Sequence, residues 1–367
     1  MSNTGTGDSG QQSKSRSRDA TVHSIRLLPD HPWATRLSVA LLIILLLAVP
    51  SLIASNYWTR VLVQAGLAVM MALGLNVILG YAGLLNLGYA AFYAVGAYTY
   101  AILASSHHGI HLPFLVVFPL AGAVAALVAY LLAVPALSLR GDYLALVTLA
   151  FAESLRIFAN NFVPLTNGSA GIMEIDHPSI ASVTLIHPTH YYYFILAFCI
   201  IEVFLLLRLE KSRIGRALTA IREDEDAAKA MGLDTRRLKL IACAIGAVPA
   251  GLAGVLFAGM QTFISPESFR FMESVALVSM VFIGGEGSIP GVVIGALLLT
   301  TVSEPLRGTA LDSARILIYG LLLVLFMVVR PQGLWPASYK PRWTREELER
   351  LIKVDLDDPN ANQASAA

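Results

Sequence analysis

Long apolar runs dominate this chain of 367 residues, and polar residues interrupt them at short intervals. The runs cover 37–54, 61–79, 88–104, 114–137, 143–160, 191–209, 240–263, 271–285, 289–304 and 313–330. A bilayer core about 30 Å thick takes roughly 20 apolar residues as one helix. An all-α polytopic membrane protein of about ten helices is therefore expected. The eighth and ninth runs are short, which suits tilted, re-entrant or broken helices shielded by their neighbours. Counts of eight or nine spans stay open.

Composition agrees with lipid as the solvent. Charged residues make up 14% of the chain, against roughly a quarter in soluble proteins. Their placement says more than their number. Of 26 basic and 25 acidic residues, 1–36 hold 5 and 3, 208–239 hold 9 and 6, and 330–367 hold 6 and 6. These stretches mark water. The expected organisation is a polar tail (1–36), a transmembrane domain (37–330) with one charged loop at 208–239, and a second tail (331–367). A net charge of +1 gives no reason to invoke nucleic acid. The first 36 residues lack the apolar core of a cleavable signal, so run one is expected to act as an uncleaved anchor.

Lys and Arg in short loops set orientation. The basic N-terminal tail, Arg140, the 208–239 loop and the chain after Arg330 are placed inside. The 105–112 and 161–190 loops, free of Lys and Arg, are placed outside. Ten spans satisfy this with both termini cytoplasmic, leaving Arg60, Arg270 and Arg307 as single exceptions. Trp33, Trp58, Trp335 and Trp343 lie beyond span ends, where indole favours the interface. Gly287, Gly291 and Gly295 recur every four residues, a spacing that lets helices pack closely in lipid.

The charged loop carries the clearest pattern. Ser212 to Gly232 reads as one amphipathic helix, with Ile214, Ala217, Leu218, Ile221, Ala228 and Met231 at helical spacing. Gly232 suits the left-handed residue that closes a helix, and Asp234 suits the N-cap of the next. Such a segment either lies on lipid or docks into a partner's groove, and its mixed charge favours docking.

Within it, Asp226-Ala227-Ala228-x-x-x-Gly232 resembles the Glu-Ala-Ala-x-x-x-Gly loop of ABC importer permeases. Further motifs resemble the branched-chain amino-acid permeases of such importers. They are the stretches Gly74–Tyr98 and Gly141–Arg156, Leu165-Thr-Asn-Gly-Ser-Ala-Gly-Ile172, Gly215-Arg-Ala-Leu-x-Ala-Ile-Arg-Glu223 and Phe282-Ile-Gly-Gly-Glu-Gly-Ser-Ile-Pro-Gly291. The likeness runs in order from about residue 60 to 335 and is closest to the larger, LivM-type subunit.

The resemblance implies a transport subunit that catalyses no covalent step. It implies a second permease subunit as partner, two cytoplasmic ATPases that bind ATP and Mg, and an extracytoplasmic substrate-binding protein. No cofactor is expected in this chain, which lacks a Gly-x-x-x-x-Gly-Lys-Ser/Thr phosphate loop. Cargo is expected to be leucine, isoleucine or valine, with urea or short amides as the family's alternative. An ion-coupled secondary transporter is the rival of another class.

Coupling to the ATPases falls, by resemblance, on Gly215, Arg216, Arg222, Glu223, Asp226, Ala227, Ala228 and Gly232. Candidates for the translocation pathway are Asn76, Gly80, Gly83, Asn86, Gly88, Glu153, Gly284, Glu286 and Gly287. A break in the glycine-rich stretch 80–88 frees backbone groups that a substrate path can satisfy. A merely kinked, packed helix pair is the plainer alternative. Val77-x-x-Gly80-x-x-Gly83 echoes Val281-x-x-Gly284-x-x-Gly287, which puts Glu286 at a comparable break. Glu153 and Arg156, one turn apart, form either a structural ion pair or a cargo contact. Asn76 fits an interhelical hydrogen bond, and Glu202 a helix-packing contact. No metal site is expected, although His107 and His111 would share a face if helical.

Overall fold

The computed structural model describes residues 55–303 except 108, 140, 181 and 182, together with isolated positions in 46–50 and 317–335. Most of the first and much of the last expected span, and nearly all of both polar tails, lie outside the described residues.

Each remaining apolar run becomes a helix. In chain order these are α1 (Asn56–Asn76, continued by a wider π turn over Val77–Tyr81), α2 (Ala90–Leu103), α3 (Phe114–Ala136), α4 (Asp142–Asn161), the single turn α5 (Val163–Thr166) and α6 (Pro188–Lys211). Then follow α7 (Arg213–Glu223), α8 (Glu225–Ala230), α9 (Thr235–Gln261), α10 (Phe271–Gly284) and α11 (Ile289–Ser303). Five of them, namely α1 with its π turn, α3, α4, α6 and α9, are long and apolar enough to cross a membrane. The 88–104, 271–285 and 289–304 runs yield α2, α10 and α11, of 14 to 15 residues. At about 1.5 Å per residue these fall short of a 30 Å core. Run three was expected to span. Its first residues are used up by the break before Ala90, and its end turns at Ala104 into a tight antiparallel pairing with Ile110–His111. His111 therefore lies on a strand, not a helix, and its ring nitrogen pairs with Asp176 at 2.6 Å.

Helix α9 is the central column, packed against α1, α2 and α3. Its small residues explain this. Ala242, Ala247, Ala250, Ala253 and Ala258 are fully buried, and glycines bring backbones together. A Cβ on Gly96 of α2 would collide with the backbone of Gly251, and one on Gly254 with Tyr93 and Ala97. Without a hydrophobic drive between helices in lipid, close contact of this kind is what holds them. The Tyr89 hydroxyl adds a bond to the Gly246 carbonyl at 2.7 Å. Gly291 and Gly295 form the seam between α11 and α10, against Gly284 and Met280. The four-residue glycine spacing thus serves packing within the chain.

Helix α6 packs its inner face on α1 with Tyr191, Ile195, Glu202 and Leu206. Both carboxylate oxygens of Glu202 are buried there without a hydrogen-bond partner among the described residues.

Replacing Gly96 with Val should force α2 from α9 and cost about 1–3 kcal/mol. Thermal unfolding of the purified protein in detergent checks this, and an unchanged midpoint would remove the close approach as a source of stability.

Candidate functional site

The stretch 212–232 does not fold as the one helix expected. It breaks at Asp224, whose extended backbone (φ −154°, ψ 108°) ends α7 and caps α8. The Asp224 carboxylate accepts from the Asp226 and Ala227 amides at 2.9 and 3.0 Å. A short acidic side chain satisfies free N–H groups at a helix start better than it serves a helix interior. The break also overturns the expected apolar stripe, because Met231 ends 83% exposed.

Other local expectations hold. Asp234 caps α9 through the Arg237 amide, and Ser212, not named beforehand as a cap, caps α7 through the Gly215 amide. Gly232 has φ +82°. Its amide bonds the Lys229 carbonyl, and that of Leu233 the Ala228 carbonyl. This paired closure of a helix end needs a left-handed residue at that place.

Glu225 ties the hairpin to the bundle. Its carboxylate meets Lys239 of α9 at 2.6 Å and Lys229 at 3.1 Å. The Lys239 hydrogen bond, above all, holds its carboxyl down to about 2. Neither Glu225 nor Met231 was singled out as a functional residue from sequence, since a lone acid in a charged run and a methionine at apolar spacing carry no local signal.

Arg222 makes the central connection. From the last turn of α7 it donates through Nη1 to the Gly80 carbonyl at 2.6 Å, and through Nη2 to the Glu286 carboxylate at 2.5 Å. Gly80 lies in the π turn that ends α1, and Glu286 in the break between α10 and α11. The two breaks also touch directly, because the Asn76 side chain accepts from the Gly287 amide at 2.8 Å. A Cβ on Gly80 would collide with Asn76, and Gly83 (φ +66°) packs on the Arg222 stem. Asn76, Gly80, Gly83, Glu286 and Gly287 thus form one cluster around Arg222. The echoed glycines Gly83 and Gly287 both have positive φ.

The remaining pathway candidates sit nearby in sequence but have other partners. The Asn86 side chain accepts from the Gly88 amide at 2.9 Å, and Gly88 presses on the Thr148 backbone of α4. Gly284 packs on Gly291. Its carbonyl accepts from the Trp335 amide at 3.0 Å, while Leu334 bonds the Ile283 carbonyl at 2.8 Å. Glu153 pairs with Arg156 at 2.9 Å, and Arg156 reaches Glu267 at 3.1 Å.

Of the coupling candidates, Arg216, Glu223, Asp226, Ala227 and Gly232 are exposed on the hairpin. Gly215, Arg222 and Ala228 turn inward. A Cβ on Gly215 would collide with the Leu209 carbonyl, so this glycine permits the tight corner from α6 into α7.

A bundle of apolar helices with paired breaks and an amphipathic hairpin latched to them defines a multi-pass helical membrane protein of the permease type. Residues 57–328 match the family described as the permease component of branched-chain amino acid transport systems, and the chain belongs to that family. It is 40% identical to the high-affinity branched-chain amino acid permease protein LivM of Escherichia coli K12, across 74% of this chain and 68% of that protein. It is 30% identical to LivH of the same strain, across 72% and 90%. A probable LivM of Methanocaldococcus jannaschii is 27% identical, across 81% and 97%. No solved structure matches.

Arg222→Gln and Glu286→Gln should each loosen α7 from the breaks, with faster amide exchange over 218–223 and 80–88. The double variant should add little beyond either single one, with a coupling of about 1 kcal/mol for this half-exposed pair. Additive effects would mean that the two residues act separately. Acid should release a second contact. A carboxyl held low stabilises the folded form above the ordinary carboxylate range, and that stability fades as pH falls from about 4.5 toward 2. Wild type should therefore lose protection of α8 over that window, and Glu225→Gln should lack the change.

Proposed function

We propose that this chain is a translocating subunit of an ATP-driven importer for leucine, isoleucine and valine in the cell inner (plasma) membrane. It works beside a second, similar permease subunit. Two cytoplasmic ATPases, which hold the ATP and Mg, dock on the exposed face of α7 and α8 around Arg216, Glu223, Asp226 and Ala227, with Met231 as an apolar contact. A substrate-binding protein delivers cargo to the 161–190 side. Both termini lie in the cytoplasm and the full chain spans the membrane about ten times. The chain needs no cofactor of its own and carries out no covalent chemistry.

The Arg222 connection supports this reading most directly. An amphipathic hairpin that meets an external engine must pass its movement to the helices that open and close. Arg222 joins the hairpin to two helix breaks at once, and breaks are where transporters expose backbone groups to substrate. Closure of the ATPases draws the hairpins of the paired permeases together, and the pathway opens outward. Hydrolysis lets it return. Family membership supports the cargo class.

Uptake measurements test both parts. In cells lacking their own system, the assembled importer should take up labelled leucine, and excess isoleucine or valine should compete. Competition by urea but not by leucine would give the pathway to the amide branch of the family. Uptake that survives ATP depletion and collapses with the proton gradient would make the chain an ion-coupled transporter. Gly232→Trp should break the closure of α8, where a side chain at φ +82° is strained. ATP hydrolysis should continue with uptake reduced severalfold at normal membrane levels. Normal uptake would remove the hairpin from the coupling path.

A further inference from the structure

A cavity of about 390 Å³ opens between α2, α3 and α4, away from the Arg222 cluster. Its walls are mostly apolar, with Val95 of α2, Val128 of α3, Leu155 of α4 and Phe269 among them. That volume lies at the lower end of small-molecule sites, which run from about 300 to 1,000 Å³. Four polar residues interrupt the apolar lining, and two of them, Thr99 and Thr166, spend their hydroxyls on the Val95 and Ala159 carbonyls. Tyr98 is 9% exposed, and its buried hydroxyl has no hydrogen-bond partner among the described residues. Buried hydroxyls are normally bonded, so this one is an exception beside the cavity. Arg156 also lines the cavity.

Arg156 belongs to a small charge network. It pairs with Glu153 of its own helix and with Glu267 in the turn Pro266–Phe269 before α10, and Glu267 also pairs with Arg270. Two acids and two bases sum to no net charge. With the orientation proposed above, α4 runs outward and the Glu267 turn lies on the outer side. The network then sits at the outer end of the cavity. A neutral rim of paired charges over an apolar chamber complements a zwitterion with an apolar side chain. The ligand carboxylate can take the place of one acid on Arg156, and its ammonium can meet the acid so released.

We propose that this cavity is a way station for the cargo inside the permease. The branched side chain enters between α2 and α3, and the Glu153–Arg156–Glu267 network receives the charged end. The inference rests on the cargo reading above. It adds that the permease itself, and not only the delivering protein, selects by side-chain size. An acyl chain of lipid would fill the apolar part equally well, but it would make no use of the charged rim.

The test uses the complete importer in proteoliposomes with its binding protein unchanged. One methylene in an apolar pocket is worth tenfold or more in selectivity. Val95→Phe and, as a milder change on another wall, Val128→Leu should lower leucine uptake relative to valine by about tenfold and severalfold respectively. The delivering protein is the same throughout, so an altered ratio reports on the permease. An unchanged leucine-to-valine ratio in both valine variants, at wild-type membrane levels, overturns the proposal, whether the cavity holds lipid or nothing. If the wild-type importer moves neither amino acid, the cargo reading has failed instead. A wild type that moves both, with variants of unaltered ratio, sinks the cavity alone.

Discussion

One guanidinium holds together three parts of this protein that the chain keeps far apart. Arg222 sits 142 residues from the Gly80 carbonyl and 64 from Glu286. Its planar fork of donors can face two acceptors at once without rearrangement, which a lysine ammonium does less well. The hairpin, the end of α1 and the turn between α10 and α11 therefore share one fixed point. Everything else about the site follows from the need to bring backbone to that point. Gly80 must lack a side chain to clear Asn76, and Gly83 must turn left-handed beneath the arginine.

The membrane sets the deeper condition. A helix interrupted inside lipid leaves amides and carbonyls that lipid cannot satisfy. Here each interruption has its own polar answer. Asn76 takes the Gly287 amide, Asn86 takes the Gly88 amide, and Thr148 takes that of Leu87 at 3.1 Å. The breaks are consequently ordered structures within the bundle. Small residues on α9 complete the arrangement by letting α1, α2 and α3 close around it.

Much of this was legible along the chain. Apolar runs located every described helix except the turn α5 and the pair α7 and α8, since burial in lipid leaves few ways to disguise a span. Gly232, free to turn left-handed, and Asp234, with a short acceptor side chain, announced helix ends on their own. The repeated Val-x-x-Gly-x-x-Gly marked both breaks, because positive φ needs glycine at each. What escaped was anything decided by distant partners. Nothing in the run Ser212–Gly232 says that Asp224 will cap a new helix when Ala or Lys there would continue the old one. Arg222 was named, by resemblance, among the residues that meet the ATPases, and its inward turn depends on a carbonyl and a carboxylate supplied by other parts of the chain. The length of α2 was misjudged for a similar reason, as the eight residues before it serve the break.

The break after α10 is finished by a remote stretch of chain. The carbonyls of Ile283 and Gly284 are met by the amides of Leu334 and Trp335. During synthesis the chain emerges in order, so those two carbonyls wait while some fifty more residues are made. Until then two carbonyls at the head of the turn that carries Glu286 lack these partners. The turn that receives Arg222 is therefore finished by chain made well after the hairpin itself. Its completion is set by the distance between two pieces of sequence.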